Sequence, residues 1–141
     1  AVSLVGIYNL LGGTRFLSGV LTGLDVAPIV VILIMMGIIF VMGTFLEWIA
    51  IVFITVPVFT PVVSSLGYDP VWFGILFAMN IQIYMLSPPF GPACFYLKSV
   101  APKDVTLQEI FLAVLPFIAL QMIGLALVMT FPQIALWLPG L

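Results

Sequence analysis

The sequence predicts an all-α integral membrane protein made of a re-entrant helical hairpin, a broken transmembrane helix and a terminal span. Three observations lead there. Of the 141 residues, 65% are hydrophobic and 6% charged, a balance that excludes a soluble domain of this size. Residues 27–63 form an apolar run whose one charge is Glu47. Residues 71–97 form a second apolar run, interrupted in its middle by Ser87-Pro88-Pro89-Phe90-Gly91-Pro92.

Residues 1–25 read as the end of a preceding span and an interfacial segment. The apolar stretch 1–11 is too short to cross a hydrocarbon layer of ~30 Å, and the mixed stretch between Arg15 and Asp25 suits an interfacial helix or linker. With no initiating Met and no charged region ahead of the first apolar stretch, the sequence reads as a piece of a longer chain rather than as one led by a signal peptide.

Residues 26–66 read as the hairpin. At ~1.5 Å rise per residue, one straight helix over 27–63 would be nearly twice the hydrocarbon thickness, so the run must fold back. The reversal is expected at Gly43-Thr44-Phe45-Leu46-Glu47, between helices over about 27–42 and 47–64. An ordinary pair of short spans with an aqueous turn would serve, with Glu47 in water. A hairpin whose tip stops inside the membrane is favoured because the turn lacks the polar and glycine-rich residues of an aqueous loop. Thr44 and Glu47 have capping-box spacing, so Thr44 is expected to start the second arm. A carboxylate at membrane depth is also expensive to keep and usually functional.

Residues 67–100 read as the broken helix. Gly67 suits the position just past a helix end, and Asp69-Pro70 suits a helix start. Three prolines in the interval 88–92 end the helix, because proline lacks an N–H and disfavours helix in the residue before it. Such a break at bilayer depth survives only where protein or a cavity shelters the freed backbone groups. Asn80 and Ser87 are two turns apart and share a face. Gln82 is expected to hydrogen-bond between helices, and Tyr84 and Met85 to pack.

Residues 101–141 read as a cytoplasmic loop and a final transmembrane helix. Lys98 and Lys103, two of the three basic residues, place the loop 98–109 on the cytoplasmic side by the positive-inside rule. Thr106-Leu107-Gln108-Glu109 offers a second capping box. The span is expected over 110–138, kinked at Pro116 and anchored by Trp137. Tyr68-Asp69, the open end of the hairpin and residue 141 then fall on the outer side.

The net charge of −2 rests on eight charged residues, with no basic patch to hold nucleic acid. Cys94 is the one cysteine and there is no histidine, so zinc, haem and disulfide chemistry are not expected. No cofactor is implied. An intramembrane enzyme would need a Ser/Lys, Asp/Asp or His-metal set that the sequence does not offer.

Four strings in register carry a resemblance over residues 14–141: Gly43-Thr44-Phe45-Leu46-Glu47; Pro57 and Pro61; Gly67-Tyr68-Asp69-Pro70-Val71-Trp72-Phe73-Gly74; and Leu86-Ser87-Pro88-Pro89-Phe90-Gly91 followed by Lys98. Together they resemble the C-terminal third of the large membrane subunit (DctM-like) of tripartite ATP-independent periplasmic (TRAP) transporters. The resemblance implies the second inverted repeat of an ion-transporter-superfamily elevator carrier, in the bacterial inner membrane and multi-pass. It implies sodium-coupled uptake of a small organic anion, usually a carboxylate. The implied partners are a periplasmic substrate-binding protein, a small membrane subunit, the lipid bilayer and the first repeat of the same chain.

On that basis Gly43, Thr44, Ser87 and Pro88 are expected to offer carbonyls and hydroxyls to sodium, with Glu47 adding negative field, because helix C-terminal ends favour cations. Asn80 and Gly91 are expected on the substrate side. Residues 86–98 are most similar to members handling 2-oxo or aromatic monocarboxylates. Family members often have Gly or Thr where this chain has Tyr84 and Met85, and many have Val at the position of Phe90. The competing functions are another carrier of the superfamily, of dicarboxylate or arsenite type, and a non-transporting membrane scaffold subunit.

Overall fold

A computed structural model describes residues 10–13, 16, 19–20, 23, 27–88 and 91–137. The expected segment 1–25 lies mostly outside the described residues, as do Arg15, Asp25, Pro89 and Phe90. All regular secondary structure among the described residues is helical, with no strand among them.

Helix α1, Pro28–Gly43, and helix α2, Trp48–Ser65, are the two arms of the hairpin. Proline at the first position of α1 has no amide to leave unpaired. The apolar residues Val31, Ile32, Met35, Met36 and Ile39 form its buried face, spaced as one side of a helix. At 16 residues, α1 is about 24 Å long, short of a full crossing.

The turn differs from expectation. Thr44 keeps helical dihedrals (φ −74°, ψ −16°) as the C-cap of α1, and α2 begins at Trp48 with Glu47 as an extended N-cap (φ −71°, ψ 147°). No capping box forms at Thr44, because a box needs the threonine itself in extended backbone at the helix start. Its hydroxyl instead donates to the Val41 carbonyl at 2.7 Å. The amides of Thr44, Phe45 and Leu46 close the turn on the carbonyls of Val41 and Met42. Thr44 therefore ends the first arm rather than starting the second.

Helix α2 carries Pro57 and Pro61 in its interior, which leaves the carbonyls of Phe53 and Pro57 without their amide partners four residues on. It ends in a Schellman arrangement: Gly67 has φ +82°, its amide donates to Ser64, and the Tyr68 amide donates to Val63 at 3.2 Å. A glycine there avoids the steric cost of left-handed backbone. Asp69 then caps helix α3, Pro70–Leu86, by accepting from the Val71 amide at 2.7 Å.

Helix α3 is the central element, packing against α1, α2 and every later helix. Its buried residues Trp72, Phe73, Leu76, Phe77, Asn80, Ile83 and Tyr84 recur every three or four positions. It stops at Leu86 because Ser87, immediately before Pro88, is extended (φ −80°, ψ 134°), the conformation that a following proline enforces. The chain resumes as α4, Pro92–Val100, with Pro92 at the first position.

The loop after α4 is tied by Lys98 Nζ donating to the Val105 carbonyl. The second expected capping box is present: the Thr106 hydroxyl accepts from the Glu109 amide at 3.2 Å, and the Thr106 amide donates to Glu109 Oε2 at 2.7 Å. It opens α5, Leu107–Thr130, which has Pro116 in its interior. The span ends at Thr130, short of the expected 138, because Pro132 disfavours helix in the residue before it, and Phe131 leaves helical backbone (φ −121°, ψ 79°). A short helix α6, Gln133–Leu136, then rests against α3.

By length and composition, α2 and α5 are able to cross a membrane, while α1 and α3 are shorter apolar helices. Most of α5 is uncovered by this chain, with Leu112, Leu115, Phe117, Leu120, Ile123 and Leu127 exposed.

Candidate functional site

The hairpin tip and the break in the central helix come together through Gly43 and Tyr84. A Cβ on Gly43 would lie 2.5 Å from Cγ and Cδ1 of the Tyr84 ring and 2.8 Å from Cδ2, so the ring is seated directly on the backbone of the tip. Both residues are buried. Beside this contact, a cavity of about 130 Å³ is lined by Leu46, Glu47 and Trp48 from the turn, Tyr84 and Met85 from the last turn of α3, and Pro92 and Tyr96 from α4. Two interrupted segments, each ending a helix and starting another, thus face one another, the arrangement that shelters non-helical backbone at membrane depth.

The residues singled out for sodium fall in three places. Gly43 and Glu47 meet the end of α3 and the start of α4, as described. Ser87 lies on the other side of α3 with Asn80, where both line a groove of about 420 Å³ between α1, α3 and α5; their shared face follows from the two-turn spacing. Pro88 faces the first turns of α5, among Leu107, Gln108, Phe111, Leu112 and Leu115. None of these three cavities is lined by all five.

Two hydroxyls have a common chemistry. Thr44 donates to Val41 at 2.7 Å and Ser87 donates to Ile83 at 2.7 Å. With each proton committed to a carbonyl, the lone pairs of each oxygen remain to accept from a donor or face a cation.

Asn80 is buried, 4% exposed, and its Nδ2 donates across the helix pair to the Met36 carbonyl at 2.8 Å. It makes the interhelical bond expected of Gln82, which is exposed, with no side-chain hydrogen bond among the described residues. Both lie on α3, but Asn80 is on the face turned to α1. Gly91 has a steric reason to be glycine: a Cβ there would lie 2.9 Å from Cε1 of Phe111 and 3.0 Å from the Leu86 carbonyl oxygen. Its amide donates to the Ser87 carbonyl at 2.9 Å, closing the break on itself.

Sequence reasoning passed over Tyr84, Trp48 and Tyr96 as parts of the site, while Pro92 lies in the interval 87–92 where the break is expected to form it. The available signal was an aromatic residue in the last turn before a break, paired with a glycine at the opposing tip. Their adjacency is a long-range contact that no local pattern encodes.

A family model described as "Tripartite ATP-independent periplasmic transporter, DctM component" matches residues 1–134. Among curated proteins, the sialic acid TRAP transporter large permease protein SiaM of Vibrio cholerae is 38% identical over 114 residues, covering 81% of this chain and 26% of that protein. The C4-dicarboxylate TRAP transporter large permease protein DctM of Pseudomonas aeruginosa is 31% identical over 121 residues, covering 84% and 27%. The ectoine TRAP transporter large permease protein TeaC of Halomonas elongata is 34% identical over 102 residues, covering 72% and 23%. The chain spans about a quarter of the length of these relatives. No solved structure matches it significantly.

Proposed function

The chain belongs to the DctM component family of tripartite ATP-independent periplasmic transporters, and from that premise we propose that it forms the second inverted repeat of a sodium-coupled elevator carrier for a small organic anion. The full permease would sit in the bacterial inner membrane as a multi-pass protein. It would work with a small membrane subunit and with a periplasmic binding protein that delivers the substrate. The first repeat of the same chain would complete the transport site.

The observation that carries this proposal is the meeting of the hairpin tip with the helix break at Gly43 and Tyr84. It sets the carbonyl end of α1 beside that of α3, and aligned carbonyls at two helix C-termini give a field that favours a cation. The Thr44 hydroxyl supplies a neutral oxygen ligand at the tip, where Glu47 adds charge, while Ser87 and Pro88 offer oxygens from their own sides of the break. On the opposite polarity, α4 starts beside the same cavity, and the amides of a helix start favour an anion. The start of α2 already has the carboxylate of Glu47 at its mouth, so the α4 start near Gly91 is the better place for a substrate carboxylate.

The relatives' names cover sialic acid, C4-dicarboxylates and ectoine, so the substrate is proposed no more finely than a small organic anion, carboxylates first. The test is uptake by the complete complex in proteoliposomes, with its binding protein present and an imposed sodium gradient. Accumulation that depends on the gradient supports the proposal. Equal uptake with potassium replacing sodium on both sides overturns the coupling.

A further inference from the structure

We propose that Tyr84 is a positioning residue for cation coupling: its ring, seated on the backbone of Gly43, sets the spacing between hairpin tip and helix break. The proposal rests on the sodium-coupled carrier described above.

Gly43 does not need to be glycine for its backbone. It is the last residue of α1, and the positive-φ glycines among the described residues are Gly12 and Gly67. Space requires it instead. Three ring carbons of Tyr84 lie within 2.8 Å of where a Cβ would stand, so the ring lies flat across the missing side chain. Glycine permits this close approach of one helix to another.

The ring also stands at the point where both carbonyl-ended turns are organised. The Tyr84 carbonyl takes the Ser87 amide at 3.0 Å, and its neighbour Ile83 takes the Ser87 hydroxyl. On the facing side, the residues just before Gly43 take the amides of the tip and the Thr44 hydroxyl. Tyr84 further lines the small cavity with Glu47 and Pro92. A rigid, buried ring between two such turns fixes their separation, and cation coordination by carbonyls is sensitive to small displacements because its ligands sit at fixed short distances.

Four forms of the full permease separate this role from a general packing role: wild type, Gly43→Ala, Tyr84→Phe and Tyr84→Ala. The methyl of Gly43→Ala meets the ring and separates the two turns, raising the sodium concentration for half-maximal uptake by about tenfold, an overpacking effect. Tyr84→Phe keeps the ring and the wild-type midpoint. Tyr84→Ala removes the spacer, lets the two turns close, and shifts the midpoint as well.

The spacing itself is read by spin labels on the exposed positions Phe45 and Val100, which does not depend on transport. A longer label distance in Gly43→Ala and a shorter one in Tyr84→Ala are expected, with Tyr84→Phe as wild type. An unchanged midpoint in Gly43→Ala or in Tyr84→Ala overturns the role of Tyr84. If wild-type uptake ignores sodium, the coupling proposal fails and the label distances alone decide: equal distances in all forms overturn the spacing role. If Gly43→Ala does not fold, Tyr84→Ala against Tyr84→Phe gives the same decision, a shifted midpoint and distance being required of the first and not the second.

Discussion

The indole N–H of Trp72 donates to the carbonyl of Val128 at 2.9 Å, and that carbonyl is the one Pro132 leaves unpaired. In a continuing helix, Val128 would accept from the amide four residues on, but a proline at 132 has none to give. The central helix α3 therefore reaches across to satisfy the end of α5. Val128 is buried and Trp72 is 1% exposed, so neither group has water as an alternative partner. The Trp72 ring is held in turn by stacking on Tyr68, with centroids 4.9 Å apart.

Trp72→Phe should thus cost more than the lost ring area, because it strands a buried carbonyl worth ~1–3 kcal/mol. Chemical unfolding of the detergent-solubilised permease measures the loss. Adding Pro132→Ala restores an amide four residues after Val128, and the double variant should recover part of that stability. Strict additivity of the two substitutions would show that Pro132 is not why Trp72 is needed.

Glu47 makes no side-chain cap hydrogen bond at the start of α2. Glu47→Gln should therefore leave stability within about 0.5 kcal/mol, as for an exposed position outside any network. Removing its charge from the tip should raise the sodium midpoint of uptake severalfold at unchanged substrate affinity for the binding protein. An unaltered midpoint would leave Glu47 with no part in the cation field.

The two Thr-x-x-Glu strings offer a matched comparison. Thr106 is a true N-cap, with both halves of the box closed, so Thr106→Ala should destabilise the start of α5 by ~1 kcal/mol. Thr44 caps nothing in α2, and Thr44→Ser, which keeps the hydroxyl that donates to Val41, should be near neutral. Hydrogen exchange at the amides of residues 107–109 and 48–50 reads both. Loss of protection at 48–50 in Thr44→Ala would restore the cap that the structure lacks.

What could be read locally in the sequence was what depends on local backbone chemistry. Gly67 in left-handed backbone, the Asp69-Pro70 start, the Thr106 box and the stop at Ser87 all follow from propensities within a few residues. Thr44 misled because spacing alone does not say which helix a threonine belongs to; the tip stayed helical for one residue longer than the box allows. The end of α5 at Thr130 was marked by Pro132, but the apolar pattern continues to 138 and hid it. The contacts Gly43 to Tyr84, Asn80 to Met36 and Trp72 to Val128 join residues at least 41 positions apart, and nothing in one sequence pairs them. Gln82 and Asn80 were equally good donors on composition; the register of α3 against α1 chose Asn80.

The break itself is the most direct test of the site. Ser87 leaves helical backbone because Pro88 follows it, and its hydroxyl and amide then close on the carbonyls of Ile83 and Tyr84. Replacing Pro88 and Pro89 by Ala removes that constraint, and alanine is the best helix former available. Helix α3 should propagate by at least a turn, supplying amides to carbonyls that are proposed to face the cation and moving Ser87 off the end. Gly91, whose amide now bonds to Ser87 with no room for a side chain beside Phe111 and Leu86, would be displaced with it. Membrane insertion should survive, because the substitution neither adds a charge nor shortens an apolar run. The expected product is a folded permease, monodisperse in detergent and able to bind its small subunit, with sodium-driven uptake reduced at least tenfold, about 1.4 kcal/mol. Uptake by the complete complex in proteoliposomes is the measurement, and wild-type rates in the double alanine variant would show that the prolines accommodate packing and do not build an ion site.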